Sequence, residues 1–123
     1  MSAPTVLVVE DDPVILRLLE VNFELEGYEV LLAADGEEGL ATARAQVPQL
    51  IVSDIMMPKL SGLEMVQALR ADPATAGIPI ILLSAKAQTA DLKAGLDAGA
   101  DEYVTKPFEP LDLIERANAL LSR

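Results

Sequence analysis

Two hydrophobic rhythms alternate along the chain. Five short β-rich runs, Thr5 to Val9, Tyr28 to Ala33, Leu50 to Ser53, Ile78 to Leu83 and Glu102 to Thr105, are separated by longer stretches in which apolar residues recur every three or four positions. The first kind lacks strict polar alternation, as expected of strands covered on both faces; the second predicts amphipathic helices. Asp12 followed by Pro13 reads as an N-cap with proline at the first helical position, opening a helix to about Glu26 that places Ile15, Leu18, Leu19 and Phe23 on one side. Gly27 ends it. Asp35 with Glu38 predicts a capping box for a helix through about Gln46. Ser61 with Glu64 predicts another, flanked by Leu60 and Met65 in staple positions, and Asp72-Pro73 breaks the helix that follows. Ala87 to about Ala98 predicts a fourth helix closed by Gly99, although Gly95 weakens it. The last begins near Pro110 with Leu113, Ile114, Ala117 and Leu121 on a common stripe.

Strictly alternating strands and helices predict an α/β fold: a doubly wound parallel sheet with right-handed crossovers and helices on both faces. Functional residues should then lie beyond the carboxyl ends of the strands. At 123 residues, without internal repeats or linker-like tracts, the expectation is a single domain over residues 1–123. Hydrophobic residues reach 51% with only 3% aromatics, so the core must be built from Val, Ile, Leu and Ala, which suits strands under Ala- and Leu-rich helices.

Charge and missing residue types narrow the chemistry. Twenty acids against nine Lys and Arg give a net charge of -11, which repels a phosphate backbone and anionic lipid, so direct nucleic-acid binding is not expected. Cysteine and histidine are both absent, which excludes a thiol nucleophile, a Ser-His-Asp triad and any His- or thiolate-ligated metal within the chain. Met1 to Pro4 lack the basic start and apolar core of a leader, and the apolar runs are too short to span a bilayer. No membrane insertion and a cytoplasmic location are the default expectations.

The strand ends carry the chemistry. Strand one ends in Glu10 and Asp11, strand three in Asp54, strand four in Ser84 and strand five in Lys106. An acid at a strand end is ordinarily a solvated loop residue or a helix cap, so Asp54, within IVSDIMMP, says little alone. In a parallel sheet, however, all of these ends share one edge. Three carboxylates gathered there repel one another unless a cation intervenes, and an oxygen-only cluster suits Mg2+. Lys106 adds a second positive charge, and the Ser84 hydroxyl offers a phosphoryl oxygen a hydrogen bond. An ionised carboxylate attacks phosphorus without a general base, so the missing histidine is no obstacle.

The segments VVEDD, SDIMMPKLSG, LLSA and YVTKPF resemble, in order and spacing, the response-regulator receiver domain of two-component signalling, over nearly the whole chain. That resemblance, to chemotaxis-type receivers among others, implies a flavodoxin-like (βα)5 fold with strand order 2-1-3-4-5. It also implies Asp54 as phosphoacceptor, Asp11 as direct metal ligand, Glu10 as the neighbouring acid acting directly or through water, and Met56 as donor of a backbone carbonyl to Mg2+. Ser84 takes the place of the phosphate-sensing hydroxyl, and Lys106 that of the lysine before a cis Pro107. Tyr103 falls at the aromatic position that turns inward on activation. Serine in place of the frequent threonine keeps the hydroxyl but loses a methyl that restricts its rotamer. Asp12 falls one place beyond the acid pair and serves as a cap. The implied partners are a sensor histidine kinase or histidine phosphotransfer protein, donating in trans, and a downstream protein target.

Rival readings follow from the same residues. A metal-dependent aspartyl phosphatase would need a second acid two residues after its nucleophile, where this chain has Met56; slow self-dephosphorylation is expected rather than enzymatic turnover. A flavodoxin-like cofactor binder would need a phosphate-cradling loop after strand one, where three anions stand. A receiver-like docking module that is never phosphorylated is the third alternative, and the complete set of acid, hydroxyl and lysine weighs against it. In purely structural terms Ser84 would begin a turn, Lys106 would be a solvated charge and Tyr103 a half-buried packing ring. Met56, Met57 and Met65 read as packing, since thioethers suit a hard cation poorly.

Overall fold

Five strands, β1 (Thr5–Val9), β2 (Glu29–Ala33), β3 (Leu50–Asp54), β4 (Ile80–Ser84) and β5 (Glu102–Thr105), alternate with five helices, α1 (Pro13–Leu25), α2 (Gly36–Gln46), α3 (Gly62–Ala71), α4 (Thr89–Ala98) and α5 (Pro110–Leu121). The computed structural model describes residues 3–84 and 89–122. All strand pairs are parallel, in the order β2-β1-β3-β4-β5, which is the flavodoxin-like arrangement that the resemblance implies. The chain runs from β1 outward to β2 and then back across to β3. That reversal opens a crevice beyond the carboxyl ends of β1 and β3.

Why the central strands read as unbroken apolar runs is plain from their burial. Val6 to Val9, Leu50 to Val52 and Ile80 to Leu83 are all fully buried, alternate residues facing opposite sides. Val6, Val8, Val52 and Leu83 join Leu19 and Phe23 of α1 and Leu113 and Ala117 of α5. Leu7, Val9, Ile51 and Leu82 join Ala43 of α2 and Met65 and Leu69 of α3 on the other side. Side chains of this size contribute roughly 1.5–3 kcal/mol each on burial, so both faces of the sheet are needed for its stability.

Most helix starts are capped as the sequence indicates. The Asp12 carboxylate accepts from the Val14 N–H at 2.9 Å, and Ser61 and Glu64 form both bonds of a capping box at 3.1 Å. Asp35 accepts from the Glu38 N–H at 2.8 Å, one half of the expected box.

Several boundaries and faces differ from expectation. The second strand begins at Glu29, because Tyr28 turns its ring edge-on to Phe23 with centroids 4.9 Å apart and places its hydroxyl on Asn118 Oδ1. The fourth begins at Ile80, since Pro79 has no N–H to give a ladder and the Ile78 carbonyl is taken by Arg70. The third and fourth strands each run one residue further, through Asp54 and Ser84. On α1, Leu18 is 43% exposed and Leu16 packs against the core instead; on α5, Leu120 is buried while Leu121 is only partly so. In both helices a residue adjacent to a predicted one, Leu16 after Ile15 and Leu120 before Leu121, joins the core, so the apolar face is rotated slightly from the one the spacing suggests. The expected start of the fourth helix, Ala87, lies outside the described residues.

Candidate functional site

The register of the sheet assembles the site. Val9 pairs with Ser53, so the next residues, Glu10 and Asp54, emerge side by side at the switch point. Ser84 pairs with Thr105, which brings Lys106 to the same edge from the outermost strand. The Glu10 N–H still donates to Ala33 O at 3.0 Å, prolonging the ladder with β2 and directing the acid's side chain inward.

Lys106 joins two of the acids. Its Nζ donates to Glu10 Oε1 at 2.8 Å and to Asp54 Oδ2 at 3.0 Å. The other Glu10 oxygen accepts from the Asp12 backbone N–H at 3.1 Å, and Asp54 Oδ1 accepts from the Ile55 N–H at 2.8 Å. Asp11 is exposed, and one carboxyl oxygen from each of Glu10, Asp11 and Asp54 lies within 4.8 Å of the others. The sequence-predicted acids and lysine are therefore together, three carboxyl groups with one ammonium that joins two of them.

Glu10 is 1% exposed. Burial pushes its carboxyl up to about 7; the Lys106 and Asp12 hydrogen bonds oppose the shift, and the nearby Asp54 charge adds to it. On Lys106 burial works against the charge, but the hydrogen bonds to Glu10 and Asp54 outweigh it and raise the pKa, so the ammonium persists throughout the physiological range. An oxygen-only set of three acids with surplus negative charge fits a hard divalent cation; nitrogen and sulfur ligands are not available to favour a softer one.

The remaining predicted residues occupy distinct positions. Ser84 is buried at the end of β4, and its carbonyl accepts the Lys106 N–H. The Lys106–Pro107 peptide is cis. Tyr103 sits two register positions back from the Thr105 pair and is half-buried on the α4 side, where a Cβ added to Gly95 would lie 3.3 Å from its ring. Met56 lies in the loop after β3 with its side chain 77% exposed, while Met65 is core and Met57 packs beside it, in keeping with packing roles for the latter two.

Sequence reasoning missed three supports. The Ser53 hydroxyl donates to Asp54 O at 2.9 Å, and Gly62 is needed because a Cβ there would lie 2.3 Å from the same carbonyl. A serine closing an apolar strand and a glycine in a helix's first turn were the available signals. Asp12 contributes its backbone N–H to Glu10 as well as capping α1, which no local pattern announces. Beside Lys106 lies an apolar concavity of about 400 Å3, lined by Ile15, Leu18, Pro107 and Phe108.

Fold and site together define a doubly wound α/β domain with an acidic crevice beyond the carboxyl ends of its central strands. Residues 6–118 match the response regulator receiver domain, and the chain belongs to that family, the receiver domains of two-component systems. It is 44% identical over 120 residues to the DNA-binding dual master transcriptional regulator RpaA of Synechocystis, covering 98% of this chain and 50% of that protein. With the alkaline phosphatase synthesis transcriptional regulatory protein PhoP of Bacillus subtilis the identity is 45% over 118 residues, covering 96% and 48%. The chain thus spans about half the length of the curated relatives it matches. Among solved structures, the receiver domain of a Francisella response regulator superposes with a TM-score of 0.91 at 38% identity, covering 98% of each chain. The receiver domain of a Pseudomonas aeruginosa sensor histidine kinase, which has a magnesium ion coordinated in its active-site cleft, gives 0.92 at 31%, covering 99% and 100%. Among the described residues no helix is long and apolar enough to cross a membrane.

Proposed function

We propose that Asp54 is a phosphoacceptor, taking a phosphoryl group from a phosphohistidine on another protein. The observation that carries this reading is the placement of Lys106 between Glu10 and Asp54 with Asp11 within reach, a cluster whose negative charge is only partly compensated. Asp11, Asp54 and the Met56 backbone carbonyl would hold Mg2+, with Glu10 acting directly or through water. Bound there, Mg2+ supplies the positive charge that lets an anionic nucleophile meet an anionic phosphoryl group.

A carboxylate oxygen of Asp54 attacks phosphorus, the P–N bond breaks, and its electron pair remains on the departing imidazole, leaving an acyl phosphate on Asp54. The Ile55 N–H and Lys106 fix the carboxylate's orientation before the reaction, and Lys106 remains to balance charge on the phosphoryl oxygens. The donor histidine lies outside residues 1–123, which contain none. The concavity between Ile15, Leu18 and Phe108 offers the donor protein an apolar foothold next to Lys106.

Ser84 and Lys106 then draw toward the new anion, and Tyr103 responds by rotating, which alters the surface of α4, β5 and α5 read by a downstream partner. No acid stands at Met56 to serve a hydrolytic water, so self-dephosphorylation is slow and the domain acts as a switch rather than an enzyme. Incubation with Mg2+ and acetyl phosphate should add one phosphoryl group to the wild type and none to Asp54→Asn, read by intact mass. An unlabelled wild type, or equal labelling of the variant, overturns the reading.

A further inference from the structure

The loop from Ile55 to Ser61 carries Met56 and is held in a costly conformation. The Leu60 N–H donates to Pro58 O at 2.8 Å, closing a three-residue turn, and Lys59 at its centre has φ 71°. This form of γ-turn is strained for a residue with a Cβ and persists only where its surroundings over-determine it. Two features provide that restraint. On the α3 side, the Gly62 N–H donates to Ile55 O at 2.8 Å, and Gly62 admits the Asp54 carbonyl.

On the other side stands the first turn of α2, which contributes no ligand to the site. The space where a Gly36 side chain would begin is filled by the Leu60 carbonyl: a Cβ there would lie 1.9 Å from Leu60 O and 2.7 Å from its carbon. These are backbone atoms, which cannot swing aside as a flexible side chain can. Asp35, the N-cap of the same helix, pairs with Lys59 Nζ at 3.6 Å. α2 therefore meets the turn at both Lys59 and Leu60.

We infer that Gly36 is a positioning residue for the acceptor site: its missing side chain lets α2 back the 58–60 turn and so sets where Met56 presents its carbonyl. The inference rests on the assignment of that carbonyl to Mg2+ made above. By helix propensity alone Gly36→Ala should not destabilise α2, so the contact and the propensity predict opposite outcomes. Gly39, one turn on, provides the control. Its added Cβ would meet side chains of Val9 and Met65 at 2.8–3.1 Å, disturbing the core but not the loop backbone.

The test uses amide chemical shifts and Mg2+ titration of the whole chain. In metal-free Gly36→Ala the amides of residues 55–61 should shift, and Mg2+ affinity should fall roughly tenfold or more. Gly39→Ala should leave both close to wild type, whatever it does to the thermal midpoint. Equal affinity in folded Gly36→Ala, or an equal loss in Gly39→Ala, overturns the inference. Should Gly36→Ala not fold, the wild type decides: on adding Mg2+ the Gly36 amide should move in step with residues 55–60 and that of Gly39 should not, and a silent Gly36 refutes the coupling. If no wild-type amide of residues 55–61 responds to Mg2+, the metal assignment itself fails, which separates that failure from loss of the positioning role.

Discussion

Two clusters of partly or fully buried charge sit at opposite edges of the same sheet, and they are built on different terms. At the amino edge, Arg70 of α3 uses four of its five donors: Nε on Gly99 O, one terminal nitrogen on Ala76 O and Ile78 O, and the other on Asp101 Oδ2 at 2.9 Å. Asp101 also accepts from the Ile80 N–H at 2.9 Å, so one carboxylate meets one guanidinium and joins the starts of β4 and β5. At the carboxyl edge, Lys106 is divided between Glu10 and Asp54 while Asp11 stands close by. The first cluster is closed. The second keeps surplus negative charge in a crevice, three acids against one ammonium, an arrangement that suits a cation. Buried charge alone does not mark a functional site; charge that the fold leaves unbalanced does.

The contrast breaks most visibly at Arg70. Arg70→Met should lower unfolding free energy by about 3 kcal/mol, because it strips three carbonyls and a carboxylate of their donor in a region only about one-fifth exposed. The urea midpoint measures this, and the deficit should be the same with and without Mg2+. A loss that Mg2+ repairs would mean the two edges are coupled and the contrast false.

Glu10 provides the next test, and its sign is opposite to that of most carboxylates. Its pKa rises from 4.5 unfolded to about 7 folded, so the folded state binds more protons between those values. The associated stability is present in full below about pH 4.5 and is lost as pH rises through about 7. In the metal-free protein this contributes about 2 kcal/mol of lost stability between pH 5 and pH 8. Glu10→Gln should remove that slope, so the difference between variant and wild type, followed by thermal melts at several pH values, isolates the group. Asp35, whose carboxylate is favoured by the Glu38 N–H, acts in the other direction and at lower pH, outside this window. A slope unchanged in Glu10→Gln would place the surplus charge elsewhere.

The same contrast explains which features are legible in the amino-acid sequence and which are not. Strands and the four polar strand ends are legible because each is a local event, an apolar run meeting a charged or hydroxyl residue, and a parallel topology brings all such ends to one edge; the strand order, and with it the switch point, follows only from the resemblance to receiver domains. The Arg70 cluster is not. Its partners at Ala76, Ile78, Gly99 and Asp101 are mostly backbone carbonyls, which leave no mark in a sequence. Gly36 is hidden for a related reason, since a glycine opening a helix suggests nothing about a carbonyl arriving from the loop after β3. The rotation that exposes Leu18 and buries Leu120 escapes a reading by spacing because neighbouring apolar positions share a helix face, and only the packed partner chooses between them.

The smallest effect is the most discriminating. Lys106→Met deletes the ammonium that joins Glu10 to Asp54, yet it should cost only about 1 kcal/mol at pH 8 and less at pH 6. Glu10, already poised near 7, can answer the loss by taking a proton, whereas the Arg70 cluster has no such escape for its orphaned carbonyls. Asp54 keeps its bond from the Ile55 N–H in either case. Because Mg2+ and Lys106 neutralise the same carboxylates, Mg2+ should raise the thermal midpoint of Lys106→Met more than that of wild type, and should raise Arg70→Met only as much as wild type. Equal Mg2+ responses in all three proteins would mean that the cation binds away from Glu10 and Asp54, and the unbalanced edge would then be a structural cluster like the other.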